Sequence, residues 1–167
     1  MAEKNLIAWN VDAADYPASG KMDEKLKFLL NYAVLAPSGP NNQPWKLAVD
    51  GSEVTVKADF GRTLPDVEPT NRTMYMSLGC ALTNLLDAAE HFGLGYRVER
   101  YPEGIDAETI ATVKIEEGGA LASEFPPYLL PEITDRHNNR GAYDDRPIEA
   151  DKIKAMKRAV GDGGFLL

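Results

Sequence analysis

The stretch that decides how this chain folds is Ala36-Pro37-Ser38-Gly39-Pro40-Asn41-Asn42-Gln43-Pro44-Trp45. Its three prolines cannot continue a helix, and apolar periodicity predicts a helix before it and a strand after it. Its serine and three amide side chains can present donors and acceptors in a fixed, non-repeating geometry. Prolines leave such a loop little entropy to lose when a ligand arrives. The composition is that of a binding loop, although a structural turn between a helix and a hairpin fits the same residues.

The remaining secondary structure is predicted outward from this loop by apolar spacing and turn residues. Asp50-Gly51 is typical of a hairpin turn, and Thr70 or Asn71 can cap a long helix that runs to about Phe92. A last short helix is expected to turn Ile153, Met156 and Val160 inward. The other predicted elements are a helix over Met22–Leu35, strands over Lys46–Val49, Val54–Ala58, Tyr96–Tyr101 and Ile110–Glu116, and the last helix over Glu149–Val160.

Bulk composition limits the class of protein. The 167 residues are 44% hydrophobic and 26% charged, which predicts a globular chain with a real core. A net charge of -8 without a Lys/Arg cluster argues against binding of duplex nucleic acid. The single cysteine, Cys80, excludes an intrachain disulfide and zinc-type ligand spacing. With no signal peptide and no long apolar run, we expect a cytoplasmic protein that does not enter membranes.

A second polar motif lies near the end of the chain, Arg136-His137-Asn138-Asn139-Arg140. Two arginines four positions apart could clamp one phosphate, because each guanidinium can make bidentate contacts to an oxyanion. The alternative is a solvated, charged loop that follows a linker. The Pro-rich segment over 125–132 is the linker predicted here.

Three further residues form a weaker group. Asp59 and Arg62 are three positions apart and could form an ion pair with each other. Arg72 falls in the first turn of a predicted helix, where the helix dipole disfavours a cation. It therefore predicts a specific partner, for which Asp66 or Glu68 is available.

No residue stands out as a catalytic nucleophile or a metal ligand. Cys80 lies among small residues and is interpreted as a buried packing residue. Ser38 lacks the Gly-x-Ser-x-Gly elbow of a serine hydrolase. His91 and His137 are too isolated to predict a metal site, and His91 suits the end of a helix. We therefore predict no catalytic side chain and no metal.

The loop over Ala36–Trp45 resembles the Ala-Pro-Ser-x-x-Asn-x-Gln-Pro-Trp signature of the nitroreductase family of FMN-dependent enzymes. The segments 59–64 and 72–93 look more particularly like the Acg-like branch, in which one longer chain contains two nitroreductase-type halves. The resemblance implies an α+β, nitroreductase-like fold with a mostly antiparallel sheet flanked by helices. Dimerisation or a missing second half would complete it.

The segment Arg136–Arg140 resembles the Arg-x-Ser-x-Arg/Lys phosphate motif that opens a nitroreductase unit. Family FMN sites lie at a dimer or pseudo-dimer interface, where one unit supplies this motif and the other supplies the Pro-Ser-rich loop. Carried over by position, the phosphate contacts fall to Arg136 and Arg140, with Asn138 where the family usually has Ser. The flavin contacts carried over to this chain are Pro37, Ser38, Gly39 and Asn41.

The activity implied by the resemblance is ping-pong hydride transfer from NAD(P)H to FMN and then to a small nitroaromatic or quinone-like acceptor. The implied assembly is a homodimer or pseudo-dimer. The alternative is a flavin-binding or flavin-sequestering protein, or an incomplete half-domain without reductase turnover. The expected organisation is an N-terminal arm over 1–21, which could pack on another chain, a nitroreductase-like unit over 22–124, the linker over 125–132, and the start of a second unit or a swapped extension over 133–167. The apolar end, Phe165-Leu166-Leu167, is expected to begin a strand of a longer protein or of an edge completed by another chain.

Overall fold

The computed structural model describes residues 8–105, 107–118, 130–139 and 141–160, without the side chains of 159 and 160. The chain divides into two compact units, Met1–Arg136 and His137–Leu167. The predicted strand at 165–167 and most of the predicted linker lie outside the described residues. Among the residues described, no helix combines the length and apolar character needed to cross a bilayer.

The first helix, α1 (Met22–Ala33), forms because apolar residues recur on one face. Leu26, Leu29 and Ala33 are fully buried on that face. The helix ends two residues before the predicted Leu35. Its last turn tightens into bonds between residues three apart, Leu35 N to Tyr32 O and Ala36 N to Ala33 O, as the chain approaches the first loop proline.

Four antiparallel strands form one sheet in the order β1-β2-β4-β3. The strands are β1 (Trp45–Asp50), β2 (Glu53–Ala58), β3 (Leu94–Arg100) and β4 (Thr109–Glu117). The predicted β1–β2 hairpin is present, with Asp50 paired to Glu53 and Gly51 at φ +57° in its turn. This arrangement confirms the predicted α+β fold with an antiparallel sheet.

The long helix α2 (Arg72–His91) packs with α1 over the sheet and closes the core. Its Leu78 and Leu85 are fully buried against sheet residues such as Val56 and Val113. The predicted cap is only partly right. Asn71 occupies the N-cap position in a left-handed conformation, but its side chain makes no capping bond. Glu68 caps instead, accepting the Thr73 N–H at 2.7 Å.

The described part of the N-terminal segment packs on its own chain, and its predicted role as an arm for another chain stays a prediction. Tyr16 stacks on Phe92 with ring centroids 4.0 Å apart and meets Phe28 edge-on at 5.6 Å. Phe28 and Phe92 also make an edge contact at 5.7 Å, so the three rings tie this segment to α1 and to the end of α2.

In the part of the chain that the structure describes, two short helices follow the sheet. The helix α3 (Leu130–Asp135) was not predicted, and it buries Leu130 and Ile133 against the core of the first unit. In the second unit, α4 (Ala150–Val160) confirms the last predicted helix. The predicted inward face of α4 is wrong where it is described, since Ile153 and Met156 are both exposed.

Candidate functional site

The Pro-Ser-rich loop is a closed turn built around Ser38. The Ser38 carbonyl accepts the Asn41 N–H at 3.1 Å, and the Ser38 hydroxyl oxygen accepts the Gln43 N–H at 3.0 Å. Asn41 and Gln43 have φ of 61° and 47°, in the left-handed region that few residues other than glycine adopt. The loop is thus held in one strained conformation by its own hydrogen bonds.

This conformation leaves hydrogen-bond donors on the loop. Within the described part of the chain, the N–H groups of Ser38, Gly39 and Asn42 have no acceptor. Pro37, Ser38 and Gly39 are half-buried, and Asn41 is exposed. The loop can therefore donate to the oxygen or nitrogen acceptors of a bound ligand.

Gly39 brings the loop against the start of α2. A Cβ at this position would lie 2.9 Å from Cγ2 of Thr73, closer than real side chains approach each other. Glycine is required here by close packing rather than by a turn. This close approach places Gly39 of the loop beside Thr73 in the first turn of α2.

Arg62 braces the far end of the loop. Its Nη1 donates to the carbonyls of Asn42 and Gln43, each at 3.2 Å. In return, the Asn42 amide donates to the Arg62 carbonyl at 2.8 Å. The predicted ion pair of Arg62 with Asp59 is confirmed, at 3.4 Å from Nε to Oδ2.

Asp59 anchors this brace to the hairpin. Its carboxylate lies 3.1 Å from Lys46 Nζ and also accepts the Gly61 N–H at 3.2 Å. The hydrogen bond from Lys46 holds the pKa of Asp59 below its ordinary value, with the Gly61 N–H and the Arg62 charge acting in the same direction. Asp59 therefore stays charged and keeps the guanidinium oriented.

The end of α1, just before the loop, is held by two side chains from distant parts of the chain. The Asn84 amide donates to the Tyr32 carbonyl at 3.1 Å, and Nη2 of Arg136 donates to the Leu35 carbonyl at 3.1 Å. Cations and donors at a helix C-terminus satisfy its last carbonyls and complement its dipole. Arg136, half-buried, thus lies at the base of the Pro-Ser-rich loop within one unit.

An open cleft of about 300 Å³ lies beside Arg136. Its lining residues come from α2 and from α3 with the residue after it, and they are Asn84, Glu132, Ile133, Asp135 and Arg136. The cleft combines a guanidinium and an amide with two carboxylates. The carboxylates make its charge mixed, and the guanidinium is the group in it suited to an anion.

The other two predicted phosphate residues do not lie in the described part of the first unit. Asn138 lies in the second unit and is exposed. Arg140 lies outside the described residues. Their part in a site with Arg136 stays a prediction.

The other residues considered in the sequence analysis are Arg72, Cys80 and the possible metal ligands. Arg72 is exposed, and among the described carboxylates neither Asp66 nor Glu68 forms an ion pair with it; Glu68 accepts backbone N–H groups instead. Cys80 is half-buried, less than predicted. Over the ranges that the structure covers, no group of three or more His, Cys, Asp or Glu side chains could hold a metal ion.

Sequence reasoning missed the brace made by Arg62 and Asn42 and the capping role of Glu68. The Asp59–Arg62 spacing did signal an ion pair, but nothing in the spacing showed that the guanidinium also reaches the loop carbonyls. That contact depends on how the hairpin brings residues 42 and 62 side by side.

Comparison with known proteins gives two curated relatives, both named as NAD(P)H nitroreductases and both from Mycobacterium tuberculosis, strains CDC 1551 and H37Rv. Each is 27% identical over 144 residues, which is 86% of this chain and 41% of the relative. The chain thus spans well under half the length of these relatives. No protein-family model matches the chain.

A solved structure of a nitroreductase-like protein from Streptococcus mutans is also similar, with a TM-score of 0.47 and 14% identity. The alignment covers 75% of this chain and 96% of that one. The curated relatives support assignment of the chain to the nitroreductase family, as its loop motif predicted. The Acg-like branch and the FMN cofactor stay predictions.

Proposed function

We propose that this chain forms part of an FMN-dependent oxidoreductase of the nitroreductase type, which passes hydride from NAD(P)H to a small acceptor. The observation that carries the proposal is the similarity to two NAD(P)H nitroreductases. A match over 144 of 167 residues must include 24–144, and so both the Pro-Ser-rich loop and the segment Arg136–Arg140.

The loop geometry supports this proposal. The N–H groups of Ser38, Gly39 and Asn42 have no acceptor in the described structure, and a flavin ring carries several acceptor atoms. Pro37, Ser38, Gly39 and Asn41 would contact the ring. Because the loop is already ordered, binding would cost it little conformational entropy.

The position of Arg136 supports it independently. Nη2 of its guanidinium donates to the Leu35 carbonyl, and the residue also lines the open cleft; a guanidinium can bond several acceptors at once. Arg136 can therefore hold the base of the loop and also contact a phosphate. Asn138 and Arg140 would complete the phosphate contacts.

Bound FMN would be the electron carrier between NAD(P)H and the acceptor. Protein side chains do not provide this hydride chemistry. The residues of this chain would bind and orient FMN. Loop donors would favour negative charge on the ring, and Arg136 would neutralise the phosphate. No protein side chain is proposed as a general acid.

The direct test is titration of the purified chain with FMN, followed by anaerobic addition of NADH or NADPH. We expect a bound flavin spectrum that bleaches with one of the two nucleotides and returns with a nitroaromatic or quinone acceptor. A flavin spectrum that never bleaches would favour the sequestering alternative. A chain that gains no FMN would contradict both.

Arg136 is tested by comparing FMN with riboflavin, which lacks the phosphate. We expect Arg136→Ala to raise the Kd for FMN at least tenfold, the scale for a charged group left without its partner, and to leave riboflavin binding nearly unchanged. Asn84→Ala is the matched control, since it removes the neighbouring support of α1 without removing a cation. An equal loss of both ligands in Arg136→Ala would assign the residue to loop support alone.

Whether a second copy completes the site is a separate part of the proposal. We expect FMN to shift the mass of the 18.3 kDa chain toward that of a dimer in light scattering. Saturation at one FMN per chain without a change in mass would contradict completion by a second copy.

A further inference from the structure

The brace made by Arg62 and Asn42 joins the loop to the turn after β2. Each side chain donates to the other residue's carbonyl, 3.2 Å from Arg62 and 2.8 Å from Asn42. Among the described residues, Oδ1 of Asn42 is buried without a hydrogen-bond partner, so the bond from Nδ2 to Arg62 is the one that orients the amide. Neither segment can move without breaking both bonds.

The brace made by Arg62 and Asn42 contacts the loop where its backbone is strained. Asn41 and Gln43, on either side of Asn42, have φ of 61° and 47°. Such conformations persist in residues other than glycine only when the surroundings hold them. Arg62 binds the carbonyls of Asn42 and Gln43 together, which fixes the peptide groups on both sides of Gln43.

The guanidinium is itself held in place from behind. Asp59 contacts Nε at 3.4 Å, while Nη1 faces the loop. Lys46 and the Gly61 N–H hold the Asp59 carboxylate. The planar fork of arginine suits this arrangement because it can bond a carboxylate on one side and two carbonyls on the other.

From this geometry we propose that Arg62 is a positioning residue that keeps the Pro-Ser-rich loop in its ligand-binding conformation. The proposal rests on the proposed function for the identity of the ligand, FMN. Arg62 acts through the carbonyls of the loop and leaves the N–H groups of Ser38 and Gly39 facing the ligand. Lysine could not replace it fully, because one ammonium lacks the planar fork that holds Asp59 and both carbonyls at once.

The experiment compares Arg62→Ala, Arg62→Lys and the control Arg100→Ala, an exposed arginine on β3. Amide exchange of Asn41 and Gln43 is followed by NMR without ligand, and FMN binding is titrated separately. We expect Arg62→Ala to speed exchange of both amides and to raise the Kd for FMN about tenfold, with little change in Tm. Arg62→Lys should recover part of both effects, and Arg100→Ala should show neither.

Unchanged exchange at Asn41 and Gln43 in Arg62→Ala would overturn the proposal. An Arg100→Ala variant that weakens FMN binding as much as Arg62→Ala does would also overturn the proposal, because the effect would then come from the loss of positive charge alone. If the unmodified chain does not bind FMN, the proposed function fails. The exchange data then still decide whether Arg62 holds the loop.

Discussion

At the scale of single residues, the carboxylate of Asp59 helps to set the geometry of the loop through Arg62. Its pKa lies below the ordinary 3.8 because of the hydrogen bond from Lys46. A carboxyl group with a lowered pKa in the folded state stabilises the fold above its unfolded pKa. That contribution is lost as pH falls through the lowered, folded value.

We therefore expect Asp59→Asn to be less stable than the unmodified chain at neutral pH. The difference should begin to shrink as pH falls below about 4, where the unfolded carboxyl takes up a proton, and it should vanish as pH falls through the lower folded pKa. Urea unfolding between about pH 6 and pH 3 measures it. Asp66→Asn, at an exposed carboxylate nearby, is the control. A difference that stays constant with pH would contradict the role given to the charge.

Gly39 makes a second prediction at this scale. Its substitution by alanine places a Cβ 2.9 Å from Thr73 Cγ2, on a side chain that is stiff because it is branched at Cβ. We expect Gly39→Ala to lower the free energy of unfolding by about 1 kcal/mol, as overpacking does. Thr73→Ser removes the clashing methyl group, so the double variant should recover most of the loss in urea unfolding. Additive losses would show that the clash is not the cause.

At the scale of elements, the start of α2 depends on Glu68, which lies before the helix begins. Its carboxylate accepts the Thr73 N–H at 2.7 Å. Burial raises the pKa of Glu68, but the hydrogen bonds that its carboxylate accepts outweigh burial and lower it. The exposed Arg72 then adds a cation where the helix dipole is unfavourable. Glu68 thus satisfies a backbone donor of the first turn.

We expect Glu68→Ala to lower Tm by about 2–4 °C, the usual effect of losing a cap in a chain of this size. Glu68→Gln should lower it less, since the amide oxygen can still accept while the charge is gone. Thermal unfolding by circular dichroism measures both. Equal effects of the two substitutions would indicate that only the charge matters.

The sequence predicted the elements better than the contacts between them. The helix α1 and the β1–β2 hairpin follow from the spacing of Leu26 and Leu29 and from Asp50-Gly51, which are local signals. The brace at Arg62 and the support at Leu35 join residues 20 and 101 positions apart. Such contacts depend on tertiary packing, so no periodicity or turn rule could have predicted them.

At the scale of the whole molecule, the two units differ in how their helices are buried. Leu78 and Leu85 of α2 are fully buried, whereas every described side chain of α4 is exposed. Local stability follows buried apolar contact. The two helices should therefore open with very different free energies.

We expect amide hydrogens in the middle of α2 to exchange only through global unfolding and those of α4 to exchange orders of magnitude faster. Hydrogen exchange resolved by NMR or mass spectrometry measures this, with the Lys152–Glu149 turn as a marker of α4. Equal protection of α2 and α4 would place α4 in the main cooperative unit.

The pairing of β1 with β2 continues past the end of the hairpin. Trp45 pairs with Ala58, the Asp59 N–H then bonds the Pro44 carbonyl at 2.9 Å, and Asn42 and Arg62 bond each other next. These contacts join residues no more than 20 positions apart, so each closes a short stretch of chain. Folding would pair β1 with β2 from the Gly51 turn outward and form the loop last, before any partner or ligand binds. The segment from Ser38 to Arg62 would then take its shape from contacts within itself, and the packing on Thr73 and the support from Arg136 would be added from outside it.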